Sequence, residues 1–285
     1  MHLTLCIASR GNPEQLSHVI REMDSRLKDP DQVTISVALD SDDPSLQQPP
    51  EIRAKLIWSV EPREDSLGAK YNRCQRNAPA DGYLLGADDN LFSTANWDQI
   101  IRDSFALFPD KLGLVYFGRL DGALPTQMAI PHILVERQGF MFPEHFPVWF
   151  HDTWMDEIGH LCGRIIWCGI EVEEIGGRGR TRGLRDVIFW ATLFEALRPQ
   201  RQAFGEALSR EFNEPWLQVQ LQQRRQFLHG FFRTRTERLR NPATAVHFQQ
   251  RYSHDAPADE RYRRIKAKAE QLLAELQQPA QEAAA

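Results

Sequence analysis

Short apolar, β-branched runs alternate with segments of helical periodicity over the first 120 residues, and this alternation restricts the fold more than any other feature of the chain. Residues 3–8, 33–39, 55–60, 82–86 and 112–117 read as strands. Between them, Leu16, Val19, Ile20 and Met23 share one face of a helix that Asn12 is placed to cap and Pro13 to open. Residues 68–77 read as a second helix, and 97–108 as a third, capped near Ser93 or Thr94. Strands alternating with helices give βαβ units, so the expected class is α/β with a mostly parallel, Rossmann-like central sheet. Ligands of such sheets lie at the carboxyl ends of the strands. Two acidic clusters, 40–43 and 88–89, follow two of those ends.

Composition supports a folded, soluble chain. Apolar residues make up 42 % of the 285, enough to bury a core, and no apolar run approaches the roughly 20 residues a bilayer requires. The N-terminus has no basic flank or cleavage site, and Cys6, Cys74, Cys162 and Cys168 show no CxxC spacing. A cytoplasmic protein with free thiols is expected. The net charge of −5 is uneven: residues 1–177 hold 15 Lys/Arg against 27 Asp/Glu, and residues 178–275 hold 19 against 11. This divides the chain into an α/β region, 1–177, and a basic, mainly helical C-terminal extension, 178–285, punctuated by Pro199, Pro215, Pro242 and Pro257. The 176–182 segment lacks the GxxxxGK[ST] pattern and reads as a hinge or a mobile loop. Tyr262, Ile265, Ala269, Leu272 and Leu276 form a seam too short for a coiled coil. It is expected to pack on its own domain, with oligomerisation through the C-terminal helices left open.

Asp88-Asp89-Asn90 is the sharpest chemical feature. Adjacent carboxylates at a strand end repel unless a cation neutralises them, and Mg²⁺ or Mn²⁺ takes such oxygen ligands together with substrate phosphates. The plain alternative is a turn before the next element.

The surroundings of this motif resemble those in the GT-A nucleotide-sugar glycosyltransferases, particularly the family 2 group. The opening Leu3-Thr4-Leu5-Cys6-Ile7-Ala8-Ser9-Arg10-Gly11-Asn12-Pro13 is similar to their first strand and nucleotide loop, and 33–43 to their second strand with its acidic end. Gly68-Ala69-Lys70-Tyr71-Asn72-Arg73-Cys74, followed by 80–90, is similar to their helix-strand-DXD passage. In the usual Asp-x-Asp register the first aspartate falls at Gly86, so Asp88 alone, or Asp88-Asp89 with Asn90 helping, would carry the ion. The resemblance, which covers about residues 3–190, implies transfer of a sugar from a nucleoside-diphosphate donor, most often UDP-linked, to an acceptor hydroxyl, assisted by Mn²⁺ or Mg²⁺. It implies that Ser9, Arg10 and Asn12 touch the nucleotide and that Asp40, or Asp42 or Asp43 in its place, meets the base. Lys70 and Asn72 would face the ribose or diphosphate, and Asp88 and Asp89 would hold the cation.

A second constellation spans His151-Asp152-Thr153-Trp154-Met155-Asp156-Glu157-Ile158-Gly159-His160. As a helix it sets Asp152, Asp156 and His160 on one face. Asp152, ahead of Asp156, is the candidate base toward an acceptor hydroxyl, and His151 or His160 could complete a metal shell. Helix capping by Asp152 and surface histidines are the bland readings. Trp149, Phe150 and Trp154 suit a sugar face, with core packing expected for at least two of them. Two other functions stay in view: a nucleotide-sugar-binding protein without catalysis, and a basic helical module for nucleic acid or an anionic surface. The arginines are spread without a nucleic-acid motif, so that last partner is not expected.

Overall fold

The computed structural model describes residues 1–121, 124–175, 184–249 and 256–278. The 176–182 segment and the tail after Pro279 lie outside them. In chain order the strands are β1 (Leu3–Ala8), β2 (Val33–Asp40), β3 (Lys55–Glu61), β4 (Gly82–Ala87), β5 (Asn90–Phe92), β6 (Leu114–Asp121), β7 (Leu124–Pro131), β8 (Ile165–Trp167) and β9 (Val172–Glu174). The helices are α1 (Pro13–Ser25), α2 (Leu67–Asn77), α3 (Trp97–Ala106), α4 (His132–Gln138), α5 (His151–Cys162), α6 (Val187–Ala196), α7 (Arg198–Phe212), α8 (Pro215–Arg240), α9 (Pro242–Phe248) and α10 (Ala256–Gln277). Among the described residues no helix is long and apolar enough to cross a membrane.

The chain forms two compact units, one of residues 1–143 and 164–178, the other of 144–163 and 179–285. The sequence boundary at 177 placed α5 with the sheet, whereas its contacts are with α7 and α8.

In the first unit seven strands pair in the order β3-β2-β1-β4-β7-β6-β8. Only β7 runs against the others, pairing antiparallel with β4 and β6. The parallel core β3-β2-β1-β4 follows from its sequence: every residue of β2 is buried, as expected of a strand covered on both faces. Leu16, Val19, Ile20 and Met23 of α1 and Trp97, Ile101 and Phe105 of α3 cover one face. On the other face Tyr71 and Cys74 of α2 are buried, and the polar residues there are satisfied: Thr4 Oγ1 donates to Ala78 O at 2.9 Å and Ser36 Oγ to Cys74 O at 3.0 Å. The four cysteines are free and buried.

Two helix starts differ from expectation. Neither Ser93 nor Thr94 caps α3. Its N-cap is Asn96 in a left-handed conformation, and Thr94 instead accepts the Glu171 N–H. Asn12 is the N-cap of α1 by position, yet its side chain makes no capping bond. Each C-terminal proline that punctuates the sequence lies in the first turn of a helix, α7 to α10, where the missing N–H costs nothing.

In the second unit Phe150 and Trp154 are core residues, stacked and edge-on against Phe194. The seam of α10 packs on its own unit, where Trp190 Nε1 donates to Tyr262 Oη at 3.2 Å. At the centre, Arg201 is fully buried, donates through Nε to Glu157 Oε2 and through Nη1 to Phe194 O, both at 2.7 Å, and lies 3.6 Å over the Phe194 ring. Removing one member of such a pair strands a charge in the core. Arg201→Met is therefore expected to lose roughly 3 kcal/mol in urea unfolding, and Arg201→Met with Glu157→Leu to regain most of it.

Candidate functional site

The strand order reverses direction between β1 and β4, and the carboxyl ends of such a pair open a crevice. Ser9 follows β1 and Asp88 follows β4. Their side chains meet there, with Ser9 Oγ donating to Asp88 Oδ2 at 2.6 Å. The Asn12 side chain and the Arg10 backbone N–H also favour the charged form of this carboxylate. Gln15 Nε2 ties the turn down further, donating to Asp88 O at 2.9 Å and Ile175 O at 3.1 Å. Burial raises the Asp88 pKa in spite of these bonds.

At the neighbouring end of β2 stands Asp40, fully buried. Lys70 Nζ lies 2.7 Å from its Oδ1, while Arg10 Nη1 at 3.2 Å and Arg63 Nε at 3.5 Å flank Oδ2. Arg10 also binds Asp42 at 2.6 Å, and Lys70 donates to Ser9 O at 3.3 Å. Burial lowers the Lys70 pKa, opposed by Asp40. Asp43 accepts the Gly11 N–H at 2.6 Å and both Ser45 donors. Burial pushes its pKa up, but these bonds outweigh it and hold it below the ordinary value. Three cations thus converge on Asp40 and Asp42, with the Asp43 and Asp88 carboxylates beside them, so that cations and carboxylates are interleaved at these strand ends.

The structure therefore brings Ser9, Arg10, Asn12, Asp40, Asp42, Lys70 and Asp88 together at the ends of β1, β2 and β4, and separates others from the roles expected of them. Asp40 offers no exposed surface to a base, because it serves as the counter-ion of the cluster. Asp42, 44 % exposed at its side chain, keeps that surface. Asn72 does not face a ligand: its Oδ1 accepts from the Met141 and Phe142 N–H groups and its Nδ2 donates to Phe142 O. His160 Nε2 sits 3.4 Å from Asp156 Oδ1, and Asp156 also binds Arg235 at 2.8 Å. Those two residues form an ion-pair group of the second unit. Among the described residues no group of three or more His, Cys, Asp or Glu side chains could hold a metal. Arg63 and Gln15 escaped the sequence reading. The rule that favours strand ends would have found Arg63 had it been applied after β3.

The donor set left for a divalent cation is Asp88 with Asp89, hard oxygens of the right chemistry. It fits only as a half-site that donor phosphates complete, since Asp88 already accepts from Ser9 Oγ. The departure at Gly86 has a steric cause. A Cβ there would stand 2.8 Å from Leu5 Cδ1 and 3.2 Å from Ile7 Cγ1, so a carboxylate at this position would enter the apolar core.

No family model matches the sequence, and no curated protein matches it. Among solved structures, residues 1–349 of TarS from S. aureus in complex with UDP-GlcNAc match with a TM-score of 0.51 at 14 % identity, over 95 % of this chain and 92 % of that one. The chain has the GT-A fold. The mannosyltransferase PcManGT from Pyrobaculum calidifontis, in complex with GDP-Man and Mn²⁺, matches at 0.47 and 16 %, over 96 % and 84 % of the chains. Glucosyl-3-phosphoglycerate synthase from Mycobacterium tuberculosis, in complex with Mn²⁺, UDP and phosphoglyceric acid, matches at 0.47 and 11 %, over 70 % and 78 %.

Restoring the absent aspartate is expected to harm the fold without strengthening the site. Gly86→Asp should lose roughly 2–4 kcal/mol of stability in denaturant titration, the cost of forcing a polar group into a packed core. Mn²⁺ affinity measured by calorimetry should not rise.

Proposed function

We propose that the protein transfers a glycosyl group from a nucleoside-diphosphate sugar, UDP-linked, to an acceptor hydroxyl. The observation that supports this most is the convergence of Arg10, Arg63 and Lys70 beside Asp88, at the crevice between β1 and β4. A fold shared with TarS, whose structure holds UDP-GlcNAc, agrees with it.

In this reading the arginines and Lys70 receive the diphosphate, and their fixed charge stabilises the leaving group as the glycosyl bond breaks. The half-exposed Asp42 accepts from the base. Asp88 and Asp89, with donor phosphates, hold Mn²⁺ or Mg²⁺, which when bound supplies Lewis-acid stabilisation of the same diphosphate. Asp152 removes the acceptor proton. Its pKa is raised to about 6 by burial, with the nearby Asp156 charge adding to the rise and Thr153 hydrogen bonds opposing it, which suits a base acting near neutral pH.

The donor assignment is tested by thermal shift and calorimetry with UDP- and GDP-sugars, with and without Mn²⁺. UDP-sugars should stabilise the protein in a cation-dependent manner, and Asp88→Ala should weaken that binding by about tenfold or more, on the order of one lost charge-assisted contact. Unchanged affinity and turnover in Asp88→Ala would refute the cation assignment.

The base assignment carries a pH signature. Activity should rise with pH through about 6, and Asp152→Asn should abolish turnover. The linkage sign is separate: a carboxyl whose pKa is raised on folding favours the folded state while protonated, and that contribution is lost as pH rises from about 4 to about 6. At pH about 8 the Asn variant should therefore be as stable as the parent or more so, by roughly 1–2 kcal/mol after solvent screening. A variant both inactive and strongly destabilised would indicate a structural role.

One observation favours a second reading, donor binding without transfer: Asp88 already accepts from Ser9 Oγ, and Gly86 offers no carboxylate. Donor affinity with neither hydrolysis nor transfer in an acceptor screen would decide for it.

A further inference from the structure

Helix α8 carries apolar side chains on two opposite faces. Its inner stripe, Leu221, Leu228, Phe232 and Thr236, is buried within the second unit. Opposite, Trp216, Val219, Phe227 and Phe231 stand on one side at helical spacing, spread over roughly 22 Å at 1.5 Å per residue. They are not covered: Trp216 is 62 %, Val219 54 % and Phe227 71 % exposed. Single exposed apolar residues need no explanation, but a line of four large ones does.

The charge on the helix says what covers them. Residues 215–240 contain six arginines and one acidic residue, Glu237. Two of the arginines face inward, Arg225 to Glu206 at 3.6 Å and Arg235 to Asp156 at 2.8 Å, and Arg233 pairs with Glu237. Arg224 and Arg238 are exposed and fall beside the aromatic line by helical spacing. A second copy of this face would bring arginine against arginine. A nucleic acid would use the arginines and the rings but gain nothing from burying Val219. An anionic lipid surface answers both features, since it buries Trp, Phe and Val below the headgroups and pairs arginine with phosphate.

We propose that the outward face of α8 is a monotopic binding surface for anionic membranes, lying in the interface plane and not spanning it. The full-length protein should co-sediment with phosphatidylcholine vesicles containing about a third phosphatidylglycerol, and at least about tenfold less with pure phosphatidylcholine. Trp216→Gln with Phe227→Gln should reduce binding about tenfold while leaving the circular dichroism and melting temperature unchanged, because both side chains are exposed. Arg224→Glu with Arg238→Glu should do the same and flatten the salt dependence. Equal binding by parent and double variants, or no binding to anionic vesicles, would overturn the proposal. So would a dimer in sedimentation equilibrium that Phe227→Gln dissolves, or tighter binding to RNA or DNA than to vesicles.

Discussion

A carboxylate taken wholly out of water survives only if cations come with it. Asp40 imposes that requirement on the first unit. It closes β2, and the parallel register of β1, β2 and β3 brings the segments after those strands to the same edge. Arg10, Arg63 and Lys70 arrive from the β1–α1 loop, the β3–α2 loop and α2, and each supplies charge to the same two oxygens. Their heads would otherwise repel one another. The buried anion holds three cations in place. Pre-organised charge of this kind needs no rearrangement when charge develops on a ligand.

The second constraint ties this cluster to β4. Asp88 takes hydrogen bonds from the 9–12 loop and its backbone carbonyl takes one from Gln15, so the loop after β1 is fixed from both sides of the crevice. Asp43 adds a third anchor through the Gly11 N–H, at a residue whose φ of 78° only glycine adopts freely.

Much of this was legible in the sequence because it rests on local periodicity. The 3.6-residue spacing of Leu16, Val19, Ile20 and Met23 identified both α1 and its buried face, and the β-branched runs located β1 to β4. What could not be read was pairing across long separations. Nothing local says that Ser9 will bond to a carboxylate 79 positions away, or that Asn72 will serve the backbone of 141–142 instead of a ligand. Asp40 was expected to meet the base, yet it is fully buried as the counter-ion of three cations. Residue type and position along a strand do not reveal whether cations from other loops will close over a side chain. On α5 the i,i−4 neighbour of His160, Asp156, was visible, but Arg235, which joins Asp156 from a different helix, was not.

The two aspartates on α5 show how one helix can divide two roles. They stand four residues apart, so one burial environment would push both upward. Asp156 is pushed up by burial but held below its ordinary value by His160 and Arg235. At Asp152 burial prevails: it and the charge on Asp156 raise the pKa more than the Thr153 hydrogen bonds and the Arg235 charge lower it. Neighbouring carboxylates driven in opposite directions are the usual mark of an acid–base assignment. The backbone leading into Asp152 is also under constraint. Trp149 and Phe150 are consecutive non-glycine residues in the left-handed region, at φ of 65° and 64°, costing of order 1–3 kcal/mol each. The stacking of Phe150 on Phe194 at 4.9 Å and its contact with Phe146 at 5.2 Å hold it there. A helix start fixed by aromatic packing at such a cost makes more sense for a residue whose position matters than for a surface cap.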